Sequence, residues 1–342
     1  MTSALLGEVT SGMSPAAVTS AVFYGCCSLV MVLLNKLVIT KFFFDYAMVI
    51  MMLQMAVTLF VLELGRLCGL VQIAPYSLER GRAMFMPSLL YALHSFFSLT
   101  ALEGLSLPMY GAIKRCVPLL NLYLAVVFLR KPRPSRPVLA SVLLLTGGAF
   151  LASLYDFMFD LWSYVYGGVA IVLQAAYLTL IERLSLQSSR PSAQHFTTLE
   201  MVYMNSFNGL LFFLLADMIR DEIRDAFMYF LTSAGILFWI TFVACLLVGA
   251  LLNVALFACT VHNSALATSI VGNVKAVLQT IIGYYLGMYI FFDVVPSALN
   301  ILGILLNLIG CLAYSYFKWK EASRPEKVGY LRGELDANAN RL

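Results

Sequence analysis

The sequence predicts an all-α integral membrane protein: ten transmembrane helices in two inverted five-helix repeats, with both termini in the cytosol. Three observations predict it. The chain is very apolar, its basic residues are unevenly distributed, and a short glycine–lysine segment recurs. Of 342 residues, 61% are hydrophobic and 12% charged, and the mean hydropathy is +0.87. A soluble domain carries about 25% charged residues, so no part of the chain reads as a separate soluble domain.

About 20 consecutive apolar residues cross the hydrocarbon core as a helix. Such runs fall at 16–40, 47–70, 83–102, 107–129 and 137–155, then at 162–182, 196–217, 235–261, 264–287 and 296–317. The third, with "SLLYALHSFFSLTALEGLS", is polar for a lipid-facing helix and is expected to face the bundle or a cavity. The chain then divides into a cytosolic N-terminus (1–15), a first repeat (16–155), a second repeat (162–317) and a basic cytosolic tail (318–342). The opening "MTSALLGEVTSGMSP" has no basic n-region or cleavage pattern. The first span is therefore expected to act as the targeting signal.

Orientation follows from Lys and Arg. Arg66, Arg80, Arg82, Arg130, Lys131, Arg133, Arg136, Arg183 and Arg190, with six more in the tail, put fifteen on one side. Only Lys41, Arg220 and Arg224 fall on the other, which carries Asp45, Asp156, Asp160, Asp221, Asp225 and Asp293. Basic loops stay cytosolic. The same distribution is topogenic and makes no nucleic-acid patch, so no nucleic-acid partner is expected.

The recurring segment is "GAIKR" at Gly111–Arg115 and "GNVKA" at Gly272–Ala276, in spans four and nine. A unit of five helices repeated once must invert its second copy, so the two segments become pseudo-twofold partners near mid-membrane. Inverted repeats with a site at their interface are a common transporter plan. A central cation costs about 2.5–3.5 kcal/mol on insertion scales. Lys114, Arg115 and Lys275 thus call for compensation. Glu63, Glu103, Glu182 and Asp217 all sit at span ends, and Glu63 has Arg66 as a neighbour. The middle is expected to be a wet, net-positive cavity for an anion, with a phosphate or diphosphate the natural occupant. Pairing with Glu103 is the alternative for the cations, and snorkelling suits Lys36.

Polar groups of spans seven to nine (Asn205, Asn208, Asn253, Asn263, Asn273, with Tyr203, Tyr284 and Tyr285) can read hydroxyls or a base edge. Equally, they can hydrogen-bond neighbouring helices. The small-residue stretches "NSALATS" and "GGA" are expected to let helices approach closely. Seven cysteines lie almost wholly in apolar runs without metal-ligand spacing and read as packing residues. The histidines His94, His195 and His262 form no HExxH, and no nucleophile–base pair, paired-aspartate site or phosphate loop appears. An enzyme is not expected, nor any metal or cofactor. Asp156 and Asp160 read as a solvated loop.

Several stretches carry a family resemblance: "VLLNKLVIT" (Val32–Thr40), "LSLPMYGAIKRCVPL" (Leu105–Leu119), "FDLWSYVYG" (Phe159–Gly167), "HNSALATSIVGNVKAVLQTIIGYYLG" (His262–Gly287) and "LAYSYFK" (Leu312–Lys318). The chain resembles the nucleotide-sugar transporters of the drug/metabolite transporter superfamily. It is most similar to the branch carrying UDP-glucuronate, UDP-N-acetylgalactosamine and UDP-N-acetylglucosamine. The resemblance implies an antiporter of the Golgi or endoplasmic reticulum membrane, taking in a UDP-sugar and returning UMP. GDP-mannose or GDP-fucose exchanged for GMP is the alternative, as is a carrier of another phosphorylated metabolite. It implies that Lys275, with Lys114 and Arg115, meets the phosphates, and that Tyr24 of span one lines the cavity. Tyr203 and Asn205 fall on the family's Phe-Tyr-Asn-Asn motif, which reads base and ribose; here it is "VYMN", with Val202 and Met204 departing. Gly272 and Lys275 match the span-nine motif in its UDP-sugar register, with Asn273 replacing an alanine and facing the sugar. Thr268 and Ser269 match small polar positions near phosphate or sugar. The expected partners are a nucleotide-sugar, a nucleoside monophosphate, the lipid bilayer and a second copy of the chain in a homodimer, although the oligomeric state stays open.

Overall fold

Without water to satisfy them, backbone polar groups in a bilayer must bond within the chain, so apolar runs fold as helices. The structure, a computed structural model, describes residues 14–104, 113–152, 161–188, 195–285 and 298–322. Gly111, Asp156, Asp160, Asp293 and the tail beyond 322 lie outside the described residues, as do the side chains of Lys36, Glu103, Tyr284 and Tyr285. The described residues hold eleven helices: α1 Pro15–Phe42, α2 Ala47–Leu67, α3 Leu78–Gly104, α4 Val117–Val127, α5 Arg136–Ala152, α6 Leu161–Ser188, α7 Thr198–Arg220, α8 Glu222–Thr232, α9 Ile236–His262, α10 Ala265–Tyr285 and α11 Ala298–Ala322. There is no strand among them. Six (α1, α2, α6, α7, α9 and α11) are long and apolar enough to cross a membrane. The protein is a multi-pass membrane protein.

Local signals explain the helix starts. Ser14 caps α1 by accepting from Ala17 N, with Pro15 supplying a fixed φ at the first helical position. At α7, Thr197 and Glu200 form a reciprocal capping box. One element departs from the sequence expectation: α8, whose residues read as loop, is a short amphipathic helix. Arg224 and Asp225 of its first turn face outward, while Glu222 is half-buried and accepts the Met48 N–H at 2.9 Å and Ala226 is buried. Tyr229 and Phe230 join Phe44, Phe238 and Phe242 in an aromatic cluster against α1 and α9.

The polar third span behaves as expected. Ser88, His94, Ser95 and Ser98 of α3 are all buried, and α3 packs chiefly on α6 and α7. The other extensive pairs are α5 with α11, α1 with α9 and α2 with α7. The "GGA" stretch explains the first of these. A Cβ at Gly148 would lie 2.5 Å from Asn307 N, one at Gly303 2.4 Å from Ala152 N, and one at Gly310 2.5 Å from Leu145 N. Only glycine lets the two backbones come this close. Asn307 Nδ2 then donates to Leu145 O at 2.6 Å.

Polar cross-links tie the helices at the end carrying the Lys/Arg-rich loops. Arg80 pairs with Glu200 at 2.8 Å, and Asn208 donates to Gly81 O and accepts from the Tyr76 hydroxyl. Glu182 pairs with Lys131 and accepts the Ala265 N–H at 2.8 Å. Asn263 donates to Ala17 O at 3.0 Å and lies 3.2 Å from Ser20 Oγ.

Candidate anion-binding site

The glycine–lysine segment of α10 lies in an unbroken helix. Gly272 and Lys275 are three residues apart and therefore share a face. Lys275 Nζ donates to Ser28 Oγ of α1 at 2.8 Å. One turn earlier on α1, the Tyr24 hydroxyl lies 3.8 Å from where a Cβ at Gly272 would stand. None of the ion pairs among the described residues uses Lys275.

Its counterpart in span four is broken. Ile113 and Lys114 are helical, Arg115 and Cys116 form a turn, and α4 begins at Val117. Pro118 causes the break. It has no N–H for the Lys114 carbonyl four residues back, and its ring crowds that carbonyl. Leu119 N turns instead to Cys116 O at 3.1 Å, and Arg115 O accepts from Asn273 Nδ2 of α10 at 3.4 Å. The continuous span expected over 107–129 is thus replaced by a break, where the Asn273 side chain joins the two cationic segments by donating to the freed Arg115 carbonyl. Arg115 Nε is sealed from solvent without a hydrogen-bond partner. Irregular backbone at membrane depth occurs where protein buries it or a cavity runs beside it.

From here the site closes into a ring of groups from five helices. Lys114 lies within electrostatic reach of both Lys275 and His94. His94 of α3 is buried and holds Ala170 O of α6 through Nδ1 at 2.9 Å. Its ring centroid lies 5.8 Å from that of Tyr177, which meets Tyr91 edge-on at 5.4 Å. Tyr91 in turn lies within electrostatic reach of Tyr24. One arc of the ring is cationic and the other phenolic. Two lysines close enough to repel, one of them, Lys275, in none of the described ion pairs, are an arrangement an anion relieves.

The sequence-predicted residues divide accordingly. Lys275, Lys114, Arg115, Tyr24, Gly272 and Asn273 come together. Asn273 is buried and spent on the Arg115 carbonyl. Thr268 bonds Ser264 O and Thr260 Oγ1, and Ser269 bonds Leu266 O within its own helix. Tyr203 lies apart, beside the Glu63–Arg66 pair of α2. Asn205 is buried with an unpartnered Oδ1. Sequence reasoning missed Ser28, Tyr91, His94 and Tyr177. Tyr24–Ser28 and Tyr91–His94 are one-turn pairs, but spacing alone does not mark them, because their roles depend on which helices meet. A separate cavity of about 590 Å3, lined by Leu119, Leu122, Tyr123, Val126 and Leu139 with Arg133, is apolar and remote from this chemistry.

Known proteins share this sequence over almost its whole length. A UDP-galactose/UDP-glucose transporter of Arabidopsis thaliana is 32% identical over 97% of this chain and 99% of its own. The chain belongs to the nucleotide-sugar transporter family. A UDP-sugar transporter of Drosophila melanogaster is 30% identical over 92% of this chain and 82% of its own. No family model matches. A solved crystal structure aligns with a TM-score of 0.62 over 88% of this chain and 98% of that one, at 14% identity, a likeness of fold alone. As a member of this family the protein is a transporter and not an enzyme, and nucleotide-sugars are its class of substrate.

Proposed function

We propose that the protein is a ten-span antiporter of the Golgi or endoplasmic reticulum membrane. It takes a UDP-sugar into the lumen and returns UMP. The observation that carries the reading is Lys275, in none of the described ion pairs, held at mid-helix by Ser28 beside Tyr24 and within electrostatic reach of Lys114. The two most similar relatives reported above are named for UDP-sugars, and Lys275 holds the UDP-sugar register of span nine. UDP-N-acetylglucosamine, UDP-glucuronate and UDP-N-acetylgalactosamine are the sugars to test first, followed by UDP-galactose and UDP-glucose.

Two inverted five-helix repeats are supported by how the helices pair. Exchanging α1–α5 for α6, α7, α9, α10 and α11 in order turns the pair α1·α9 into α6·α3. It likewise turns α3·α7 into α9·α2 and α4·α6 into α10·α1, and it leaves α5·α11, α2·α7 and α4·α10 in place. All of these pairs are in contact. The site residues of α4 and α10 then sit beside the pseudo-twofold axis, where rocking of one repeat against the other exposes them alternately.

Exchange follows from the charges. With the site empty, the Lys275 ammonium, which is in none of the described ion pairs, sits beside the Lys114 charge when the carrier occludes, and a bound nucleotide removes that penalty. Only the loaded carrier then crosses easily. Removing one of the charges lowers that penalty, so Lys275→Gln proteoliposomes without internal nucleotide should take up UDP-sugar faster, relative to their own exchange rate, than wild type; an unchanged ratio of empty-vesicle uptake to exchange would refute this account of the barrier.

The function itself is tested by thermal stabilisation of the purified protein with UMP, GMP, CMP and AMP. A ligand binding only the folded state at 100 times its Kd stabilises by about 2.7 kcal/mol. Stabilisation by UMP alone is expected, followed by UDP-sugar/UMP exchange in proteoliposomes. Stabilisation by GMP would move the substrate to GDP-mannose or GDP-fucose. No response from folded protein would point to a simpler phosphorylated metabolite.

A further inference from the structure

The buried histidine of the ring has one nitrogen still to account for. Nδ1 of His94 lies 2.9 Å from Ala170 O. A carbonyl only accepts, so Nδ1 carries the proton, and in the neutral ring Nε2 holds the lone pair. Ser98 Oγ, at 3.4 Å, also meets Nδ1. Nε2 has no hydrogen-bond partner among the described residues. The other groups of the ring are different in kind. Lysines donate only, and phenols both donate and accept. Nε2 is an obligate acceptor beside a cation that would hold a phosphate.

We propose that His94 is a specificity residue of the transported substrate, its Nε2 accepting a hydrogen bond from a hydroxyl that flanks the diphosphate. The proposal rests on the nucleotide-sugar reading of the site. Such a hydroxyl sits on either side of the diphosphate, on the ribose or on the transported sugar. Geometry gives His94 two separable jobs. The Nδ1 bond ties α3 to α6, and Nε2 faces the ligand. A site built to bond a hydroxyl discriminates against an analogue lacking it, because the buried acceptor is then left unpaired.

Two substitutions separate the jobs. His94→Asn places an amide N–H near Nδ1 and removes the acceptor at Nε2. His94→Gln reaches the Nε2 position with its amide oxygen and gives up the bond to Ala170. Binding of UMP and UDP-N-acetylglucosamine is measured on both purified variants, with melting of the ligand-free protein as the folding control. His94→Asn should weaken binding about 10-fold, as loss of a partner for a buried acceptor does, while His94→Gln stays within about 3-fold of wild type. Weakening for UMP and UDP-N-acetylglucosamine alike assigns the hydroxyl to the ribose; weakening for UDP-N-acetylglucosamine alone assigns it to the sugar. Any other pattern overturns the proposal. Retention in Asn with loss in Gln leaves His94 only its tie to Ala170, and equal loss or equal retention in both denies Nε2 a separate role. The wild type gives an independent arm that needs no variant to fold. 2′-deoxy-UMP, 3′-deoxy-UMP and UDP-sugars deoxygenated on the pyranose are compared with their parents, and equal binding by all of them overturns the assignment. A wild type that binds no nucleotide sinks the proposed function and this assignment with it.

Discussion

The two glycine–lysine segments share a sequence pattern but not a backbone. At Lys275 the helix runs on unbroken from Ala265 to Tyr285, and the ammonium is satisfied by a side chain, Ser28 Oγ. At Lys114 the helix stops for a turn, and the neighbouring backbone carbonyl at Arg115 is held by Asn273. The difference that decides the backbone lies four residues beyond each lysine. Pro118 stands four residues after Lys114, and Gln279 four after Lys275. If the two segments are the pseudo-twofold partners proposed above, one member is rigid and the other carries a joint. The rigid one can hold a phosphate in a fixed place, and the jointed one can follow the rocking of its repeat.

The comparison is broken most directly at the rigid member. Hydrogen bonds to charged groups contribute about 1.5–3 kcal/mol, so Lys275→Gln should raise the Kd for UMP by about 10- to 150-fold. The melting temperature without ligand should stay level or rise, since a costly buried charge is gone. Unchanged nucleotide affinity in a folded variant would remove Lys275 from the site. The jointed member should matter less. Lys114→Gln is expected to weaken UMP by about 5- to 15-fold, because Arg115 lies next to it on a turn that can re-aim. Measured together, Lys114→Gln and Lys275→Gln should be non-additive, as residues meeting one ligand group are. Strict additivity would mean that the two lysines serve separate groups.

How much of this could be read beforehand follows the physics of each signal. Helix positions were legible because an apolar run in a bilayer has one outcome. The polar face of α3 was legible because serines and a histidine facing lipid would be left unsatisfied. The lysines stood out through their cost. By contrast, Tyr91, Tyr177 and Ser28 were invisible because in an all-apolar helix neither a phenol nor a serine marks a face. Their roles depend on which helices meet, and pairing of α3 with α6 and α1 with α9 is set by tertiary contact. The α8 helix was missed because its acidic and basic first turn looks like a solvated loop. Its apolar residues are used against Phe44 of a distant segment. Asn273 was assigned to the sugar by resemblance, but its amide is engaged by the Arg115 carbonyl, a partner that exists only because Pro118 breaks the helix.

Pro118 offers the smallest and sharpest test. Proline inside a helix costs about 3 kcal/mol through a lost N–H bond and ring crowding. Here the cost has already been absorbed by ending one helix and starting another, with Pro118 in the first turn of α4, where proline is tolerated. Pro118→Ala restores an N–H within reach of the Lys114 carbonyl. It should let the helix run through Lys114 and Arg115 as α10 runs through Lys275. Ligand-free stability should therefore be unchanged or slightly raised. Affinity for UMP should fall only about 2- to 3-fold, because Lys275 is untouched, while exchange should slow by more than affinity falls. That split distinguishes a joint from a binding group. A variant that lost affinity and exchange in equal measure would mean that the turn serves only to aim Lys114, and one that matched wild type in both would mean that a straight fourth helix serves the carrier equally well.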